Sequence, residues 1–148
     1  MKNKTLAQDY LQRATHRLAA LDVLFGLGSW ADVVRESQET VELVLKSLLL
    51  ACSIEVPRLH DVSPILREHR SSLPKSLIQH LDRIADISRS LRRDRELAFY
   101  GSADLTPSDF YQRRDAEEAR ENARWVVTTV AGALQLRPSR QFRIRRKS

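Results

Sequence analysis

A single cysteine, Cys52, is all the thiol chemistry in this 148-residue chain. An intramolecular disulfide and a cysteine-based metal cluster are both excluded, and nothing argues for an oxidising compartment. Glycine and proline are scarce, at four and five residues, which is poor material for a turn-rich β-sandwich or a disordered chain. No stretch approaches the roughly 20 uninterrupted apolar residues of a membrane-spanning helix. After Met1-Lys2-Asn3-Lys4, the residues Gln8, Asp9, Gln12 and Arg13 interrupt the apolar run that a signal peptide requires. A cytoplasmic protein with no membrane association is therefore expected. His16, His60, His69 and His80 are dispersed and lack Cys or His partners at ligand spacing, so no metal site is expected. A glycine-rich phosphate loop and a Gly-x-Ser-x-Gly elbow are also missing. No cofactor is implied, and any catalysis would rest on simple side chains.

What remains is helix-forming material, with 42% hydrophobic and 30% charged residues. The length suits one domain with a real core and does not divide comfortably into two. The formal charge of +6 is concentrated at the C-terminus, where Arg137, Arg140, Arg143, Arg145, Arg146 and Lys147 follow one another with no acid. The 19 basic residues before them match the 19 acids. Residues 1–136 thus read as a formally neutral helical domain, and 137–148 as a basic, flexible tail. Such a tail is suited either to RNA phosphates, through counterion release, or to plain solvation.

Apolar periodicity divides the domain. Leu6, Tyr10, Arg13, Ala14, Arg17, Leu18, Leu21, Leu24 and Phe25 fall largely on one helical face, which Gly26 and Gly28 end. Ser29 is placed to cap a second helix, whose apolar positions from Trp30 to Leu49 continue to about Cys52. Pro57 and His60-Asp61 interrupt it, and Ser63-Pro64 opens a short helix reaching His69. From Pro74, the positions Leu77, Leu81, Ile84, Ser88, Leu91, Arg95 and Ala98 predict one continuous inward stripe. Gly101 to Ser108 reads as a loop. A last helix from about Ser108 or Tyr111 to Leu134 carries Phe110, Ala116, Ala119, Ala123, Val126, Val127 and Val130 on its apolar face. The expectation is an all-α antiparallel bundle of four long helices plus one short helix.

Arg95 is the residue on that stripe that needs an explanation, because an arginine on an apolar face must find an acceptor or open onto a cleft. An ion pair with Glu42 or another acid of the second helix is the structural reading, and Glu42 and Lys46 themselves, one turn apart in that helix, read as an ordinary i to i+4 pair. A nucleotide site is the alternative, since Arg92, Arg93 and Arg95 cluster beside Tyr100, a basic and aromatic combination suited to phosphate and base.

Several of these segments resemble HEPN domains. The second helix, Ser37 to Leu49, has the family's Gln followed by a Glu-x-x-x-Lys pair at Glu42 and Lys46, then leucines. His60-Asp61 after Pro57 is similar to its connection into the third helix. Arg95-Glu96-Leu97-Ala98-Phe99-Tyr100-Gly101 resembles its functional helix end, and Asp115 to Ala123 the start of its last helix. The resemblance spans Leu6 to Leu134. It implies a helical bundle that pairs as a homodimer, with an Arg-x4-6-His motif from two subunits acting on RNA without a metal. It also implies a minimal nucleotidyltransferase as the antitoxin-like partner of a toxin-antitoxin module. Carried over by residue, Arg95 matches the motif arginine, Glu96 the polar residue after it, and Tyr100 stands where the histidine belongs. Glu42 and Lys46 would support the site, with Arg92, Arg93, Arg143, Arg145 and Arg146 binding nucleic acid or nucleotide. Two functions follow: an endoribonuclease with an Arg-x4-Tyr variant of the motif, or a non-catalytic module that binds a nucleotide or docks the partner.

Overall fold

The helical periods of the sequence are realised in the computed structural model, which describes residues 2–56, 58, 62–100 and 106–134. Side chains are described within 4–56, 58, 62–92 and 106–134. Four long helices, α1 (Lys2–Gly26), α2 (Trp30–Ala51), α5 (Leu81–Tyr100) and α7 (Arg113–Leu134), form the bundle. Three short ones, α3 (Ser63–Glu68), α4 (Lys75–Ile78) and α6 (Pro107–Phe110), with a 3-10 turn at Arg70–Ser72, fill the connections. No strand occurs among the described residues, and no helix there is long and apolar enough to cross a membrane.

The most apolar helix of the sequence, α2, is the one the others pack against: it meets α1, α5 and α7. Val33, Val34, Val41, Val44, Leu45, Leu48 and Leu49 are all buried, and each such side chain contributes about 1.5–3 kcal/mol by leaving water. From α7, Ala116, Ala119 and Ala123 are buried beside Val126, Val127 and Val130, and the small alanines let the helix backbones approach closely. The hydroxyl of Ser47 donates to the Ala7 carbonyl at 2.7 Å, a buried bond tying α2 to α1.

The helix ends show how local chemistry sets these lengths. Ser29 N–H donates to Leu24 O and Gly28 N–H to Phe25 O, both at 3.0 Å, while Gly28 sits at φ +72. This is the left-handed glycine stop that satisfies the last carbonyls of a helix. The same pair of bonds ends α2, with Ile54 N–H to Leu49 O and Ser53 N–H to Leu50 O. There the left-handed position is taken by Ser53, at φ 57.

Four details differ from the periodicity. The stripe expected to run unbroken from Pro74 is interrupted at Gln79 and His80. His80 N–H bonds to Leu77 O at 2.9 Å, a tighter i to i−3 turn, and the imidazole packs edge-on against Trp125 with centroids 5.5 Å apart. Phe110, expected on the apolar face of the last helix, is 43% exposed because it belongs to α6; the chain then breaks at Tyr111 and Gln112 before α7 starts. Leu6 is 41% exposed, and the buried stripe of α1 runs instead through Ala7, Leu11, Ala14, Leu18 and Leu21. Ser29 makes no side-chain cap to the α2 backbone; its hydroxyl donates to Asp32 Oδ2 at 2.6 Å.

Candidate functional site

The stripe that singled out Arg95 is inward-facing as far as side chains are described, with Leu81, Ile84, Ser88 and Leu91 all buried. Helix α5 carries on from Leu91 through Arg92, Arg93, Arg95 and Glu96 to Tyr100 without a break. Arg92 is half-buried. The side chains of Arg93, Arg95, Glu96 and Tyr100 lie outside the described residues, as do Pro57, His60-Asp61 and the tail residues Arg143, Arg145 and Arg146.

Beside the Ser90–Leu91 turn of α5 lies a cavity of about 260 Å³, whose polar lining comes from Ser90, Tyr111, Asp115, Glu118 and Asn122. Phe110 lines it too, its ring edge-on to Tyr111 at 5.0 Å. Asp115 is partly committed, since its Oδ2 accepts from Gln112 N–H at 2.9 Å and so satisfies one of the free donors at the start of α7.

Glu42 and Lys46 line a different hollow, of about 320 Å³, formed by α1 and α2 with Tyr10, Arg13, Arg17, Glu39 and Leu43. Lys46 Nζ donates to Glu42 Oε1 at 2.8 Å, and Gln38 Nε2 to Glu42 Oε2 at 3.1 Å. Gln38 is buried, so the carboxylate is held from one turn before and one turn after. Arg17 reaches from α1 to two acids of α2, pairing with Glu36 and with Glu39 at 3.0 Å. Arg35 adds a looser contact to Glu39 at 3.7 Å. Sequence reasoning missed this half-buried network. The signal was present, because Arg13 and Arg17 interrupt an otherwise apolar face of the first helix.

One other reactive group, the thiol of Cys52, is accounted for by its surroundings. Burial pushes the Cys52 thiol above its ordinary range, which keeps it out of the thiolate form that would make it a nucleophile. Among the described residues, no three His, Cys, Asp or Glu side chains come together as a metal site. The cavity beside α5 thus presents two carboxylates, an amide and two hydroxyl residues, and the described arginines of α5, among them Arg89 and Arg92, stand outside its lining.

Among known proteins, the family model described as HEPN domain matches residues 7–133, a span that includes α2, the whole of α5 and all but the last residue of α7. No curated protein and no solved structure gives a significant match.

Proposed function

Because the chain belongs to the HEPN domain family, we propose that it is a homodimeric RNA-binding protein of a toxin-antitoxin pair, with the C-terminal half of α5 as its RNA site. The observation that carries the reading is that the family match runs through α5, which holds Arg92, Arg95 and Tyr100 on one uninterrupted helix. In this reading Arg95 engages the phosphodiester, since a guanidinium presents a planar fork of donors that matches phosphate oxygens. Arg92 and Arg93 add positive charge along the same helix, and Glu96 orients the groups around Arg95. Glu42 and Lys46 support the site through the rigidity of α2. The tail arginines Arg143, Arg145 and Arg146 add phosphate contacts that depend on salt and not on sequence. A minimal nucleotidyltransferase is the partner that fits the resemblance.

Tyr100 decides between binding and cleavage. A phenol titrates near 10 and an imidazole near 6.5, so at neutral pH tyrosine is a poor proton shuttle. Stacking on a base and hydrogen bonding to a phosphate remain within its chemistry. RNA binding is therefore the primary activity assigned, and Tyr100 supplies the specific reason for the second reading, a non-catalytic module that holds a nucleotide or docks its partner.

The test is incubation of the purified protein with total RNA, beside an Arg95→Ala variant, with binding and cleavage measured together. Weaker RNA binding by the variant supports the reading, and cleavage lost in the variant would add ribonuclease activity to it. Equal behaviour of the two proteins removes Arg95 from the site. Absence of RNA binding with retained binding of a nucleotide or a nucleotidyltransferase establishes the second reading.

A further inference from the structure

The side of α5 that faces α3 carries a hollow of about 220 Å³, lined by Ser63, Pro64, Arg67 and Arg89. Its chemistry differs from that of the two larger cavities. Asp115 and Glu118 line one, and Glu39 and Glu42 the other, whereas among the described residues no acid lines this one. An arginine from each of two helices, Arg67 of α3 and Arg89 of α5, borders it instead, together with Ser63.

Neither arginine is fully engaged. Arg67 has Asp82 at 3.7 Å, and that carboxylate side chain is 97% exposed. Arg89 has Asp86 at 3.2 Å, also largely in solvent. Exposed pairs of this kind contribute little, because water and salt compete for both charges. A guanidinium carries several N–H donors in a fixed fork, so most remain available to an anion that displaces solvent from the hollow. The preferred ligand is a phosphate group, whose oxygens accept from two planar forks at once.

The position of the hollow suggests what carries that phosphate. Arg89 lies one turn before Arg92 on the same helix as Arg95, and at 1.5 Å and about 100° per residue the step from Arg89 to Arg95 is about 9 Å along the axis and roughly 120° around it, so a strand joining them follows the turn of the helix. A single strand held at Arg95 spans that distance within a few nucleotides. We propose that Arg67 and Arg89 form a second phosphate-binding site, through which RNA engaged by the C-terminal half of α5 continues onto the α3–α5 groove. The inference rests on the RNA-binding reading of α5 and extends it to a pair of residues that the family resemblance does not mark.

The experiment measures binding of a fluorescein-labelled single-stranded oligoribonucleotide to the full chain across a potassium chloride series. The proteins are the native sequence, Arg67→Gln with Arg89→Gln, the same pair changed to Lys, and Arg95→Ala. Both arginine side chains are more than half exposed, and circular dichroism with a thermal melt verifies that the fold is kept. Each phosphate contact on a single strand contributes roughly 0.7 to the slope of log affinity against log salt. The Gln pair is therefore expected to lower the slope by about 1.4, and the Lys pair to retain most of it. An unchanged slope in the Gln pair, with binding weakened by Arg95→Ala, overturns the second site and leaves the α5 reading standing. A Gln pair that binds less tightly with no change of slope overturns it as well, because phosphate contact is then not what was lost. No RNA binding by the native chain removes both.

Discussion

At the scale of single residues, if α5 binds RNA as proposed, Tyr100 sets what the helix can do to the strand. It is the last residue of α5 and stands where the resemblance puts a histidine. Binding needs only the charge and donors that arginine supplies, whereas strand cleavage needs a group that exchanges a proton near neutrality. Tyr100→His supplies that group without moving Arg95. The expected outcome is a gain of RNA cleavage that falls away below about pH 6.5, as the imidazole becomes protonated and stops acting as a base. The measurement is the rate of oligoribonucleotide cleavage from about pH 5 to 9, with Arg95→Ala added in the same background. Cleavage that survives the loss of Arg95 would show that the two residues do not work together.

At the scale of elements, the helix ends provide a test of stability that is independent of function. Gly28 and Ser53 occupy the same left-handed position after α1 and α2, with equivalent backbone bonds. A side chain there costs about 1 kcal/mol relative to glycine. Ser53→Gly is therefore expected to stabilise the protein by about 0.5–1 kcal/mol, and Gly28→Ala to destabilise it by about 1 kcal/mol. A Cβ at Gly28 would meet only Trp30, at an ordinary 3.7 Å, so the second cost is one of backbone conformation. Urea denaturation of the three proteins measures both, and a loss of stability in Ser53→Gly would overturn the argument.

The same elements show what the sequence made legible. The long helices could be read because each buries one face, so Leu11, Leu18 and Leu21, or Val126, Val127 and Val130, recur at helical spacing. The break at Gln79 and His80 could not, because Leu77, Leu81 and Ile84 keep that spacing across it and all remain buried. The segment from Arg95 to Gly101 was legible as a motif contained in one stretch of chain. The hollow of Arg67 and Arg89 was not, since it exists only where α3 meets α5. Arg17 with Glu36 and Glu39 is a similar case, joining two helices through residues that are ordinary when read singly.

At the scale of the whole molecule, charge is divided between a balanced body and a cationic tail, whose basic residues from Arg137 onward are accompanied by no acid. If the tail adds phosphate contacts, it should strengthen binding to any RNA by a similar factor, while the α5 site determines what happens to the strand once bound. Changing Arg143, Arg145 and Arg146 together to Gln in the full chain separates these roles. Three lost single-strand contacts lower the salt slope by about 2.1, with the loss of affinity alike for unrelated oligoribonucleotides. Arg95→Ala should instead remove about 0.7 from the slope and abolish any cleavage. Sizing chromatography is expected to give the proposed dimer mass for the native chain and for both variants, because neither change removes an apolar side chain. A monomer in the native protein would overturn the two-subunit cleft, and an unchanged slope in the tail variant would leave α5 and its neighbours as the whole of the RNA interface.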